Sequence, residues 1–301
     1  MKILLTGASG FIGKNFLELA PKDLEIVAVY NNSKDVENFV KEKKLSNVTL
    51  HKCDLNNEDE VKHLFKKHGH FDNCIYLAGN VNIPLSIKEP MKDLNANVFA
   101  LINFLKNSDI DRIIYMSSAA VYEGNSGKVT VSTPLNPHVP YSISKLLGEQ
   151  CVIAFCNTKK IKNYAIIRFG GAFGKYSEHK FMTQLARQLL QGSKTIEVYG
   201  DGTNIINVMY AKDTINALIK CLKSRKINNI SNLGQDNMTI AQTVKRTAKA
   251  LNKKIKITYT EKRKDQKYIS FSTDNSFNKI FNFKPKYSFE EGIKEFASTL
   301  K

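Results

Sequence analysis

TGASGFIG, residues 6–13, follows the apolar run Ile3-Leu4-Leu5 and leads into a stretch where Ile12, Phe16, Leu19 and Ala20 recur at helical spacing. The order is strand, glycine loop, helix. Each glycine has its own physical duty there: Gly7 makes the tight turn, Gly10 lets the backbone approach a pyrophosphate, and Gly13 lets helix pack closely on strand. The positive end of the helix then faces the phosphates. The spacing is G-x-x-G-x-x-G, a variant of the usual G-x-G-x-x-G, and its place between a first strand and a first helix predicts a dinucleotide site.

Outward from this loop, short β-branched runs alternate with helical periods, which is the pattern of parallel βαβ units. Strands are predicted near 2–6, 25–30, 48–51, 73–77, 112–117 and 164–169. The expected fold is α/β, a doubly wound parallel Rossmann sheet with a smaller, mostly helical C-terminal lobe. Residues 1–170, with a return of the chain near 203–233, are assigned to the dinucleotide-binding part, and 171–202 and 234–301 to the substrate lobe. Helices are expected near 180–191, 211–223, 239–251 and 288–300.

The remaining composition narrows the partners. Forty-five basic against twenty-eight acidic side chains give a net charge of +17, which favours anionic ligands. The lysines are scattered rather than run together, so a solvated surface is expected and no nucleic-acid tract. Cys53, Cys74, Cys151, Cys156 and Cys221 form no C-x-x-C pair and stand at no metal spacing, so inert thiols and no metal are expected. No run is apolar enough for a membrane span, and Met1–Leu5 enter the glycine loop without a cleavable signal pattern, so a cytoplasmic protein is expected.

Two segments mark the cofactor's other contacts. VYNNSKD, residues 29–35, closes the second strand without a carboxylate at the position that would hold a ribose 2′-hydroxyl; Asn31 and Ser33 are polar, and Lys34 suits a 2′-phosphate. This leans toward NADP over NAD, with Asp35 standing late for the ribose role. CDL, residues 53–55, offers Asp54 to an adenine amino group and Leu55 to its ring, or else a helix-start acid.

The chemistry is carried by YSISK, residues 141–145. Tyr141 and Lys145 stand four apart, on one face of a helix. A tyrosine ordinarily titrates at about 10, and a neighbouring ammonium that stabilises the phenolate brings proton transfer nearer neutral pH. SSAAVY, residues 117–122, supplies a serine at a strand end between loop and helix.

Together with YLAG (76–79), SIKEP (86–90), Asn97-Val98, TPLNP (133–137), RFGGAFG (168–174), GDG (200–202), Asp213 and FKPKYSFEEGI (283–293), these motifs run in an order that resembles the extended short-chain dehydrogenase/reductase family. That is the NAD(P)-dependent epimerase/dehydratase group acting mainly on nucleotide sugars, and the resemblance covers nearly the whole chain. It implies Tyr141 as acid-base, Lys145 as its partner and ribose contact, and Ser118 as donor to the substrate oxygen. Gly7, Gly10, Phe11, Ile12 and Gly13 would hold the pyrophosphate, Asp54 and Leu55 the adenine, and Ala78 and Gly79 the groove wall, with Phe169 approaching the nicotinamide. Substrate contacts would come from Ser118, Ala119, Tyr141, Gly171 and Lys180. A homodimer through the Tyr141 helix and the helix near 91–107 is also implied; Val98, Leu101, Ile102 and Leu105 suit that seam or packing on the sheet.

The chain departs from the family at three places. Dehydratases carry an acid pair after the catalytic hydroxyl, where Ala119 and Ala120 stand here, so a 4,6-dehydratase is not expected. In the family's R-x-x-N-x-F/Y-G stretch, the asparagine at the substrate's nucleotide end is Gly171 here. An arginine that meets the substrate diphosphate is Ile206, which leaves Lys175, Lys180 and Arg187 as candidate replacements. The expected activity is an NAD(P)-dependent keto-sugar reductase on a nucleotide-linked sugar. An epimerase uses the same site; a reductase of non-nucleotide carbonyls is favoured by Ile206, and a non-catalytic dinucleotide- or RNA-binding relative by the +17 charge.

Overall fold

The sheet predicted from the glycine loop is present in the computed structural model, which describes residues 1–33, 35–178, 180–261 and 270–300. The chain opens with β1 (Lys2–Thr6), α1 (Phe11–Leu19), β2 (Glu25–Tyr30), α2 (Asp35–Glu42), β3 (Val48–Lys52), α3 (Glu58–His68) and β4 (Phe71–Tyr76). Three helical pieces follow, α4 (Ile83–Lys88), α5 (Pro90–Leu94) and α6 (Ala100–Asn107), with a π-helical turn at Asn95–Phe99 joining the last two. Then come β5 (Ile110–Ser118), a 3-10 turn at Ala119–Tyr122, β6 (Ser126–Val129), α7 (Pro140–Asn157) and β7 (Asn163–Phe169). The rest is β8 (Ala172–Phe173), α8 (Phe181–Leu190), β9 (Thr195–Tyr199), β10 (Ile205–Tyr210), α9 (Ala211–Leu222), β11 (Asn229–Leu233), β12 (Asp236–Thr239), α10 (Ile240–Ala250), β13 (Lys256–Thr260), β14 (Ser270–Thr273), α11 (Ser276–Ile280) and α12 (Phe289–Ser298).

Seven parallel strands lie in the order β11-β7-β5-β4-β1-β2-β3. Both faces are covered, which is why these strands read as continuous apolar runs. Ile3 and Leu5 of β1 point into one core with Phe16, Leu17, Ile215 and Leu218 of α1 and α9. Leu4 points the other way, among Val61, Leu64, Leu101, Phe104 and Val152 of α3, α6 and α7. The strand order reverses between β1 and β4, so a crevice opens beyond their C-terminal ends, and this switch point is where such sheets take their ligands.

The C-terminal part is less helical than its sequence predicts. It holds a three-stranded sheet, β12-β10-β8, and β13 pairs with β9 while β14 pairs with β6. Of the predicted return near 203–233, β11 joins the main sheet and α9 packs on its core, but β10 belongs to the small sheet. Asp213 ties this region together: its buried carboxylate accepts from the amides of Lys286 and Tyr287 at 2.9 Å each, holding the segment before α12.

One buried histidine makes the fold sensitive to acid. His51 of β3 has its Nδ1 3.0 Å from Nε2 of His68 on α3. Burial, with His68 and Lys67 nearby, pulls its pKa down to about 4. The unfolded chain takes up that proton near pH 6.5 and the folded chain only near 4, so stability is full above 6.5 and is lost as pH falls toward 4. The expected loss is on the order of 2 kcal/mol, read as a falling Tm between those pH values and flattened in His51→Gln; an unchanged Tm profile in that variant contradicts the assignment.

Candidate active site

The glycine loop has the geometry that a pyrophosphate requires. Gly7 has a φ of +68°, and a Cβ there would stand 2.9 Å from the amide nitrogen of Ala78. A Cβ on Gly13 would lie 2.3 Å from the carbonyl oxygen of Gly7. No side chain caps α1 at Gly10, and no acid stands in its first turn, where Phe11, Ile12 and Gly13 present their amides. Thr6 Oγ1 accepts from the amides of Leu77 and Ala78 at 3.1 Å each, which fixes the end of β1 against the opposite wall of the groove. A bound dinucleotide therefore fits these residues on geometric grounds, with the helix N-terminus facing its phosphates.

The groove's far contacts divide. Asn31 is exposed and Ser33 half-buried at the end of β2, while Lys34 lies outside the described residues. Asp35 opens α2 and pairs with Lys14 of α1 at 2.9 Å. Asp54 does not cap α3, since Asn57 does so by accepting from the amides of Asp59 and Glu60. Asp54 instead closes a local turn by accepting from Asn56 N at 2.9 Å, and Leu55 is buried beside it. Ala78 is half-buried and Gly79 exposed, with φ +145°.

β5 and α7 bring the catalytic candidates together. Ser118 is the last residue of β5 and pairs in register with Phe169, the last of β7. Its hydroxyl accepts from Ala120 N at 3.1 Å and hydrogen-bonds the buried phenol of Tyr141. Burial holds the Tyr141 pKa above the ordinary tyrosine value, the hydrogen bond with Ser118 lowers it, and the charge of Asp93 raises it. Lys145 is only 7% exposed; its ammonium donates to the carbonyl oxygen of Met116 at 2.6 Å and lies 4.4 Å from the ring centroid of Tyr115. Burial brings its pKa down to about 8, against the opposing charges of Glu149 and Asp93. Burial outweighs the lowering by Ser118, so the phenol stays above its ordinary value.

The remaining candidates take their places in the packing. Ser117 belongs to a buried network, donating to Glu149 Oε1 at 2.5 Å. Ala119 packs with Val121, Tyr122, Val129 and Phe271. Lys175, one of the candidate replacements, pairs with Glu18 of α1 at 2.9 Å. Glu18 also takes Lys43 at 2.8 Å and the hydroxyl of Tyr176 at 2.8 Å. Lys180 and Arg187 are exposed, at the start of α8 and along it. Gly171 accepts from Met209 N, joining β8 to β10, where Ile206 packs half-buried in the small sheet's core. Leu101 and Leu105 pack on the main sheet and Val98 is buried; the large apolar side chains left outside on these helices are Met91, 62% exposed, Phe99, 51%, and Ile143 and Leu147, 41% each. Sequence spacing missed them because an apolar face looks the same whether sheet or solvent lies against it.

A parallel sheet with a glycine loop at its switch point, and serine, tyrosine and lysine gathered at the ends of β5 and α7, defines a short-chain dehydrogenase/reductase fold. The chain belongs to the NAD dependent epimerase/dehydratase family, whose sequence model matches residues 3–234. UDP-glucuronate 4-epimerase of Thermodesulfobacterium geofontis is 23% identical, over 97% of this chain and 93% of that protein. Human dTDP-D-glucose 4,6-dehydratase is 24% identical, over 98% of this chain and 88% of that one. The crystal structure of UDP-glucuronic acid 4-epimerase from Bacillus cereus, in complex with UDP-glucuronic acid and NAD, superposes with a TM-score of 0.86 at 21% identity, covering 100% of this chain and 99% of that chain.

Proposed function

We propose that this protein is an NAD-dependent 4-epimerase of a nucleotide sugar. The observation that carries the reading is the Ser118–Tyr141 pair followed by Ala119 and Ala120, a site that can move one proton at one oxygen and holds no second acid pair for expelling water. Full-length likeness to an epimerase solved with NAD supports NAD over the NADP suggested by residues 29–35. Gly7, Gly10, Phe11, Ile12 and Gly13 would hold its pyrophosphate, Asp54 and Leu55 its adenine, Asn31 and Ser33 its ribose, and Ala78, Gly79 and Phe169 its nicotinamide side. Held there, the dinucleotide would supply a hydride acceptor and donor at the sugar carbon.

The chain's own part is the proton. As the phenolate, Tyr141 accepts it from the sugar hydroxyl and as the phenol later gives it back, Ser118 holds the oxygen between the two events, and the charge of Lys145 stabilises the phenolate form. The keto intermediate must turn over within the site, so the substrate contacts proposed at Ser118, Ala119, Gly171 and Lys180 have to be permissive at the sugar and firm at the nucleotide. We also propose a cytoplasmic homodimer that covers Phe99, Ile143 and Leu147, which would otherwise leave a large apolar patch in water. A keto-sugar reductase is the second reading, favoured by the carboxylate-free end of β2.

Purified protein given a UDP-sugar and no added reductant is expected to interconvert the epimers, with no net production of NADH and with NAD released on denaturation. Steady consumption of NADPH with a keto-sugar, and no epimer, returns the assignment to a reductase.

A further inference from the structure

Asp93, on α5, is 1% exposed and lies on none of the surfaces assigned above. A buried carboxylate requires partners that offset its lost hydration, and here three donors converge on it. Ser144 of α7 donates to Oδ2 at 2.6 Å. Asn97 of the π-helical turn donates to Oδ1 at 3.0 Å, and Asn80 donates to the same oxygen at 2.7 Å. Asn97 also reaches Ser144 at 3.0 Å. These donors come from three segments. Asn80 directly follows Ala78 and Gly79 on the groove wall, while Ser144 sits between Tyr141 and Lys145.

The link to the groove has a second, steric strand. A Cβ on Gly79 would lie 2.3 Å from Asn97 Oδ1, so the carboxamide that Asp93 orients fills the space behind the groove wall. On the other side, Tyr141 N donates to Ser86 Oγ of α4 at 3.2 Å, so the start of α7 is held against the same helical pieces that carry Asp93. We propose that Asp93 is a positioning residue that locks the groove segment 77–82 to helix α7 and so fixes the placement of Tyr141 relative to the cofactor groove. This rests on the dinucleotide-dependent reading above.

The charge of Asp93 gives the proposal a readout that a purely structural role would not move. Tyr141 is faced by Ser118 and Tyr115 from β5 and by Asp93 from α5; Lys145 follows one turn along its own helix, and Glu149 one turn beyond Lys145. Asp93 raises the pKa values of both Tyr141 and Lys145. Asp93→Asn keeps the shape and removes the charge, so the limb of the kcat profile governed by Tyr141 is expected to move to lower pH.

The test pairs this profile with NAD titration, which needs no turnover. Asn80→Ala cuts only the groove side of the lock, at a half-buried position, and Asp93→Ala cuts both sides. Both are expected to weaken NAD binding by about fivefold, the scale of one lost hydrogen bond, with the Tm of Asn80→Ala close to that of the wild type. NAD affinity unchanged in both variants, or an Asp93→Asn pH profile that superposes on the wild type, overturns the proposal. A wild-type protein that binds NAD yet turns over no nucleotide sugar refutes the epimerase reading instead, and the NAD titrations still decide the role of Asp93.

Discussion

Tyr141→Phe is expected to lower turnover by about a thousandfold, within the range general acid-base groups contribute, while NAD stays bound and the fold stays intact. The variant removes one oxygen from a buried ring, and that oxygen's hydrogen-bond partner is Ser118. Ser118 cannot take over, because an aliphatic hydroxyl is a far weaker acid than a phenol. Lys145 cannot either, because its ammonium is directed at Met116 O. A thousandfold loss corresponds to about 4 kcal/mol of transition-state stabilisation. The measurement is kcat alongside the NAD content of the purified variant. Retention of a tenth or more of wild-type turnover would remove the tyrosine from the chemistry.

The largest stability effect is expected at Glu149, whose side chain is fully buried on α7. Arg168 of β7 meets it with Nε at 3.1 Å and NH2 at 2.8 Å, and Ser117 adds a third bond. Beyond Arg168 the network continues through the Tyr122 hydroxyl at 2.7 Å to Asn232 at 3.0 Å and from Asn232 to Asp274 at 2.8 Å. Glu149→Ala leaves the Arg168 guanidinium buried without its counter-charge, at a cost of about 3–5 kcal/mol. The pair itself need not be a net stabiliser; what is costly is breaking it on one side. Glu149→Leu combined with Arg168→Met should therefore recover much of the loss, as read by chemical denaturation. A loss below about 1 kcal/mol in Glu149→Ala would mean that water reaches the arginine. The network also surrounds the site, since Ser117 precedes Ser118 and Tyr122 closes the turn after it.

What was legible in the sequence is what local pattern encodes. β1 and β2 lie where their apolar runs place them, because a strand buried on both faces has no alternation to misread. Gly7 and Gly13 were readable because only glycine fits where a Cβ would strike Ala78 N or Gly7 O. The strands β6, β8, β12 and β14 were not, since each is too short to show a period and is defined by a partner distant in sequence, as Ser126 is by Ser270. The partner of Lys175, Glu18, could not be read from the sequence because it stands on a helix 157 residues away. Asp93 carried no signal at all: its three donors are separated along the chain, and nothing in SIKEPMKDLNANV marks a buried acid. Asp213 did stand out in the sequence, but the structure gives it two backbone amides to hold.

The central claim is that one site removes a hydride from a single sugar carbon and a proton from that carbon's hydroxyl, and returns both. It is tested most directly with a UDP-sugar deuterated at carbon 4, incubated with the purified protein without added cofactor and followed by NMR. The account predicts that the epimer accumulates with deuterium still at carbon 4, and that Tyr141→Phe forms almost none. Washout of the label into solvent, or no epimer while a reduced cofactor is consumed, would contradict it.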